Sequence, residues 1–216
     1  METLQDLIDQ GEHVNQDFKF RIDDQRKIAR TLCAFANTSG GRLLVGVKDN
    51  RKIAGCNPEE EFHMLEGAAS VFCQPELKIT SKIWQEDFRL VLEVRVAKSE
   101  HGPHKAKDDD GKWKPYIRIK DKTTAVNKIL EWVWIEQKRK TARPEHFGED
   151  ELQLLKSIGK FQPVTLSKLY RESKLPLRRV DRLLVLFICW ELVDMMFEND
   201  GIYYRLREEY LSDIIS

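Results

Sequence analysis

Ala34-Phe35-Ala36-Asn37-Thr38-Ser39-Gly40-Gly41-Arg42-Leu43-Leu44-Val45-Gly46-Val47-Lys48-Asp49 is the stretch whose reading decides the fold. An apolar helical run ends in a polar, glycine-rich corner, and a short aliphatic strand leaves that corner for an acidic turn. Phosphate cradles place glycines ahead of a helix, so that free N–H groups and the positive dipole end face the anion. Here the glycines follow the helix, where carbonyls and partial negative charge collect. Gly40 and Gly41 therefore read as left-handed residues that turn the chain sharply from helix into strand. No Gly-Lys-Ser/Thr motif occurs in the sequence, so nucleotide hydrolysis has no support.

Working outward from the corner, Asp17 to Ile22 alternates: Phe18, Phe20 and Ile22 point one way, and Asp17, Lys19 and Arg21 the other. That pattern predicts a strand with one wet face. Asp23 or Asp24 caps a helix through Ala36 that buries Ile28, Leu32 and Phe35. Arg42 to Val47 is continuous in apolar residues and belongs in the middle of its sheet. Before the corner, Leu4 to Gln10 is a short helix closed by Gly11. After it, Asn57 and Pro58 open a helix that runs to about Phe72. Leu77–Trp84 and Phe88–Ala97 form a hairpin around Gln85-Glu86-Asp87. Glu100 to Lys114 reads as an exposed loop, a long solvated hairpin because Asp108-Asp109-Asp110 sits inside it, with a nucleic-acid flap of Lys105, Lys107, Lys112, Trp113 and Lys114 as the alternative. Tyr116–Lys120 reads as a strand, and Thr124 as the cap of a helix from Ala125 to about Lys138.

The charged stretch from Lys138 to Gly148, with Pro144 inside it, marks a boundary between domains at 1–143 and 148–216. The second domain reads as helices over Glu149–Ile158, from Thr165 to about Glu172, and over Leu177–Trp190. Strands Leu192–Phe197 and Ile202–Leu206 follow, joined by the turn Glu198-Asn199-Asp200-Gly201.

Lys and Arg number 36 and Asp and Glu also 36, so no overall basic field draws a polyanion, and any such binding needs a local patch. The four cysteines, Cys33, Cys56, Cys73 and Cys189, form no Cys-x-x-Cys pair and read as thiols of a reducing compartment. The acidic Met1–Asp6 stretch lacks the apolar core of a secretory signal. The longest apolar run, Leu183–Trp190, is far short of the roughly 20 residues a membrane span needs. The expectation is a soluble, cytoplasmic protein with no membrane partner.

Three spaced segments carry a resemblance. They are Glu12-His13-Val14-Asn15-Gln16-Asp17-Phe18-Lys19, Ala34 to Gly41, and Gly46-Val47-Lys48-Asp49 with Gly55. Pro103, Tyr116-Ile117-Arg118 and Thr123-Thr124-Ala125 extend it. Over the first two thirds of the chain this set resembles the Schlafen AlbA-like domain family. The resemblance implies an α/β domain in contact with nucleic acid. The second segment, three helices and then a hairpin, resembles a winged helix-turn-helix. The expected class is therefore α+β: a mixed α/β Schlafen AlbA-like domain followed by a small winged-helix domain.

In a helix-turn-helix the first half of the last helix meets base edges and phosphates. Arg178, Arg179 and Arg182 occupy that half here, Lys168 lies on the preceding helix, and Arg205 lies on a hairpin strand. The uninterrupted apolar run Leu183–Trp190 requires cover from the first domain or from a second copy. Together with the Trp132/Trp134 helix it predicts a homodimer. The leading expectation is a nucleic-acid-binding protein without enzymatic activity or cofactor, a transcriptional regulator that binds DNA in preference to RNA.

The Schlafen resemblance carries an alternative. Glu12, Asp17 and Asp49 fall where some of those proteins hold three catalytic carboxylates, which implies an endoribonuclease using Mg²⁺ or Mn²⁺, with Lys19 beside the metal to meet a phosphate. Asp17 is one methylene shorter than the Glu of that pattern. Each of the three also has an ordinary reading as a turn or ion-pair residue. His101 and His104, with Cys73, are set aside as metal ligands because no partner pair accompanies them.

Overall fold

A computed structural model describes residues 2–100, 103–198 and 201–210. The fold is α+β, and the chain divides into two compact units at Val126 and Asn127. The first unit holds α1 (Leu4–Gln10), β1 (Gln16–Lys19), α2 (Gln25–Asn37), β2 (Gly41–Val45), α3 (Pro58–Val71) and β3 (Cys73–Gln74). It continues with β4 (Ile79–Glu86), β5 (Arg89–Val96), β6 (Lys105–Lys107), β7 (Trp113–Ile119) and β8 (Lys122–Ala125). The second unit holds α4 (Lys128–Arg139), α5 (Glu149–Phe161), β9 (Val164–Thr165), α6 (Leu166–Glu172), α7 (Leu177–Cys189), β10 (Val193–Glu198) and β11 (Gly201–Leu206).

In the first unit one sheet runs β1-β2-β5-β4 and a second runs β3-β6-β7-β8. Only β1 and β2 are parallel; β2–β5 and β4–β5 are antiparallel. The side chain of Asp24 caps α2 by accepting from the N–H groups of Arg26 and Lys27. From Thr31 to Ala36 every residue of α2 is buried, which fits a helix covered by both sheets. Its core includes Leu43 and Val45 of β2, Val94 of β5, Ala106 of β6 and Tyr116 of β7. The opposite face of the first sheet is covered by α1, where Leu4, Leu7 and Ile8 meet Phe18, Leu44 and Val91. Full burial of one such side chain contributes about 1.5–3 kcal/mol, so three of them fix even a seven-residue helix.

The two corner glycines have different tasks. Gly40 has φ of +75°, and a Cβ there would lie 2.9 Å from the backbone of both Lys98 and Val96, which has no room to yield. Gly41 is not left-handed; it is the first residue of β2, where a Cβ would fall 2.2 Å from the Phe35 ring. One glycine supplies handedness and the other closeness, which together let the strand start directly under the helix it follows.

Two expectations need correction. β1 stops at Lys19, whose carbonyl accepts from Gly46, so the alternation breaks and Phe20 stands 49% exposed. The segment from Lys122 to Ala125 is a strand paired with β7, and the next helix starts at Lys128 with Asn127 as its cap. The solvated hairpin expected between residues 100 and 114 is present in the pairing of β6 with β7, with Lys105 opposite Pro115 and Lys107 opposite Trp113. Its acids are used internally: Asp108 meets Lys114 at 2.7 Å and Asp109 meets Arg30 at 2.7 Å. His101 lies outside the described residues. His104 is buried, with ring nitrogens against Pro75 O and Ser99 Oγ.

The division between units also moves. Sequence places the helix after residue 124 in the first domain, with the break at 143–148. In the structure Ile129 and Val133 of α4 join the core of the second unit, together with Leu183, Leu184 and Phe187 of α7. Asp181 on α7 is buried between Lys128 of α4, at 2.7 Å, and the hydroxyl of Tyr170 on α6. Behind the helices lies a sheet of order β10-β11-β9. The turn residues Asn199 and Asp200 lie outside the described residues. Within this unit Leu183, Leu184, Val185 and Phe187 of α7 are buried and Phe147 packs on Phe187 and Trp190, while Leu186, Ile188, Cys189 and Trp190 stay partly exposed. Half of this run therefore needs no second copy for cover. No helix among the described residues is long and apolar enough to cross a membrane, and all four cysteines are free thiols.

Candidate functional site

Glu12 and Asp17 come together at the start of β1. A Glu12 carboxylate oxygen accepts the Phe18 N–H at 2.9 Å. Burial pushes its carboxyl above the usual range, the Phe18 N–H pulls it back, and the neighbouring Asp17 adds to the rise. Asp17 is 5% exposed and has cations on both sides. Lys19 Nζ stands 2.7 Å from one oxygen and Arg118 Nη2 stands 3.4 Å from the other. Lys19 also donates to its neighbour's carbonyl, Phe18 O.

Arg118 is the functional-looking residue that sequence reasoning quoted without assigning. Its guanidinium is buried under Asp17, donates to Thr123 Oγ1 and His13 O, and lies 5.1 Å from the Phe35 ring centroid. Its place between Ile117 and Ile119 in the buried part of β7 was the available signal.

Asp49 is not part of this cluster. It lies exposed in the turn after β2, beyond the glycine that ends the strand. Among the described residues no group of three or more His, Cys, Asp or Glu side chains is placed to hold a metal ion. With Asp17 matched by Lys19 and Arg118, and Asp49 apart, the acidic set does not fit a divalent cation as arranged.

The basic candidates of the second unit separate in the same way. Arg179 is held inside the unit by Asp150 at 2.7 Å and Glu151 at 3.1 Å, both in the first turn of α5. Lys168 packs its ammonium 4.7 Å from the Phe161 ring centroid, and Arg205 lies 3.9 Å from Asp194. Arg178 and Arg182 are exposed, one helical turn apart, and have no acidic partner among the described residues. Both line an open groove of about 640 Å³ between α4 and α7, beside Trp132, Ile135 and Arg139. Trp132 is 42% exposed there, so it belongs to a surface as well as to its helix.

Two solved structures are similar in part. One is the DIP2311 protein of Corynebacterium diphtheriae, with 20% identity, a TM-score of 0.43, and 72% of this chain matched to 37% of that one. The other is the N-terminal domain of a RecG-related protein of Nitrosomonas europaea, with 20% identity, a TM-score of 0.43, and 69% of this chain matched to 99% of that one. The chain thus spans little more than a third of the first of these proteins. No curated protein matches it. Residues 12–127, which contain the glycine corner, the Glu12–Asp17 pair and Arg118, match the family model described as Schlafen, AlbA_2, and the chain belongs to that family.

Proposed function

We propose that this protein binds nucleic acid and that its second unit contacts duplex DNA as the winged helix-turn-helix of a transcriptional regulator. Family membership suggests nucleic-acid binding for the first unit. The observation that carries the DNA reading is the state of the arginines on α7: Arg179 is tied to α5, whereas Arg178 and Arg182 point outward and are unpaired among the described residues. A helix fits the major groove of B-DNA, whereas the deep, narrow major groove of duplex RNA shuts it out. The element order supports the same reading: α5, α6 and α7 are followed by the β10–β11 hairpin.

Arg178→Gln with Arg182→Gln tests this. Each phosphate neutralised by a cation adds close to one unit to the salt slope of duplex binding, so the double variant should bind more weakly with a slope flatter by up to about 2 units. Its melting temperature should stay near wild type, because both side chains are exposed and unpaired. Absence of any salt-dependent binding by the wild type would overturn the reading.

A further inference from the structure

In the register of the first sheet, Arg42 of β2 stands directly opposite Arg95 of β5. Directly opposed side chains have Cβ atoms about 4.5–5.5 Å apart, and like charges in such a pair are destabilising. Sheets avoid this arrangement unless something else recovers the cost. Thr80 of β4 follows on the far side of Arg95, so the three side chains form one row across the sheet. The row lies toward one end of the face that α1 covers at Leu44 and Val91.

Each arginine has one acid of its own, and the remaining charges around the pair are basic. Arg42, Arg95, Lys78 and Lys98 line an open cleft of about 520 Å³ whose other walls are Asn15, Ser39, Gly40, Gly41 and the strand ends. No carboxylate lines it. Lys78 and Lys98 are exposed and have no acidic partner among the described residues. Arg95 uses its Nε on the buried carboxylate of Glu93, whose other oxygen accepts from Trp84. Glu93 is thus occupied below the surface, and it orients the Arg95 guanidinium with its outer edge free. Among the described residues the acid that reaches over is Glu2, 3.2 Å from Arg42 Nη1. Its carboxyl is held below the usual range by the Gln10 amide first and by Arg42 next.

The floor of the cleft is rigid and polar. Asn15 Nδ2 donates to Ser39 Oγ at 2.6 Å and to Gly40 O at 2.9 Å, which locks the glycine corner against β1.

We propose that this cleft binds successive phosphates of a nucleic-acid backbone, with Arg42 and Arg95 as the central pair and Lys78 and Lys98 flanking them. Guanidinium groups match phosphate oxygens in a bidentate way, and an anion between two opposed arginines converts their repulsion into two attractions. Adjacent strands lie about 4.8 Å apart, so the row from β2 to β4 extends about 10 Å, longer than one phosphate and suited to a chain of them. The inference takes over the nucleic-acid reading above but is independent of α7, so the two surfaces can fail separately.

The test compares the full-length wild type, Arg42→Gln/Arg95→Gln, Lys78→Gln/Lys98→Gln and Arg178→Gln/Arg182→Gln, with a labelled DNA duplex titrated at several salt concentrations. Both first-unit variants should lose about tenfold or more in affinity at low salt, and each should flatten the salt slope by up to about 2 units. Without ligand, Arg42→Gln/Arg95→Gln should melt below the wild-type temperature, since leaving the buried Glu93 carboxylate without its cation outweighs relief of the like-charge pair. Should that variant misfold, the lysine pair decides, because exposed and unpaired side chains hold no part of the fold. Duplex binding that survives the α7 variant and is lost with Arg42→Gln/Arg95→Gln would establish this cleft and sink the α7 reading. Wild-type affinity and slope in both first-unit variants would overturn the cleft. Competition by inorganic phosphate as strong, per phosphate, as that by unlabelled duplex would mark a small-oxyanion site and overturn the backbone assignment.

Discussion

Glu12 carries the sharpest consequence available to a single residue. Its carboxyl is held above the ordinary range, by burial first and by Asp17 in addition, against the pull of the Phe18 N–H. A value higher in the folded state than in the unfolded one means that the native protein holds this proton more tightly. The resulting stabilisation is fully present below the unfolded value and is lost as pH rises through the folded one. Gln at this position keeps an acceptor for the Phe18 N–H and has no charge to bury. Glu12→Gln should therefore melt near wild type in mild acid and above it at neutral pH, with the gap opening as pH climbs out of the carboxylate range. Thermal melts across that range check this. A variant less stable than wild type at neutral pH would mean that attraction from Lys19 outweighs burial. The same geometry bears on the acidic alternative. Sequence spacing keeps Glu12 close to Asp17 of β1, but nothing local shows that Arg118, from β7, lies beneath Asp17 and that Asp49 stays in its own turn.

At the level of elements, what was legible follows from what is local. The caps Asp24, Asn57 and Thr165 are ordinary side-chain-to-backbone contacts, and each starts its helix where the sequence says. The β4–β5 hairpin and the left-handed turn at Gly40 were readable for the same reason; Gly41, read as left-handed too, is instead required by the approach of the Phe35 ring. The start of α4 was not, because Thr124 and Asn127 are both good caps, and the choice is made by a distant partner: β7 pairs with Lys122–Ala125 and holds it extended. Ownership of α4 was equally hidden. The stripe of Ile129 and Val133 says that one face is buried, but not that α7 is what buries it. Fragments test the corrected boundary. A chain of 127–216 should fold cooperatively, whereas 144–216 lacks the burial of those two side chains, about 3–6 kcal/mol in all. That is a large part of the total stability of a small domain, so the shorter fragment should give no cooperative melt. Equal stability of the two would return α4 to the first unit. The opposed arginines belong here too: Arg42 and Arg95 become neighbours only once the β2–β5 register is known.

For the molecule as a whole, charge is the constraint that any nucleic-acid reading has to meet. The chain has 36 basic and 36 acidic residues, so it has no net field with which to attract a polyanion. Many cations are also neutralised in place, as Arg30 is by Asp109, Lys114 by Asp108, Lys128 by Asp181 and Arg207 by Asp194. The candidates that remain lie in two places: exposed and unpaired Arg178 and Arg182 on α7, and the cleft where Lys78 and Lys98 are exposed while Arg42 and Arg95 each share one acid. This sets the size of the salt effect as well as its presence. Log affinity for B-DNA falls with log salt at about 0.9 per phosphate neutralised, so six such contacts give a slope of about −5. The α7 pair alone would give about −2, and the cleft alone about −3.5. We expect the intact wild-type chain to show about −5 on duplex DNA, with binding all but abolished at high salt. A slope near −2 or −3.5 would assign binding to one surface only. Binding that is insensitive to salt would mean that neither set of arginines meets phosphate, and that whatever this neutral protein recognises it holds by shape and apolar contact instead.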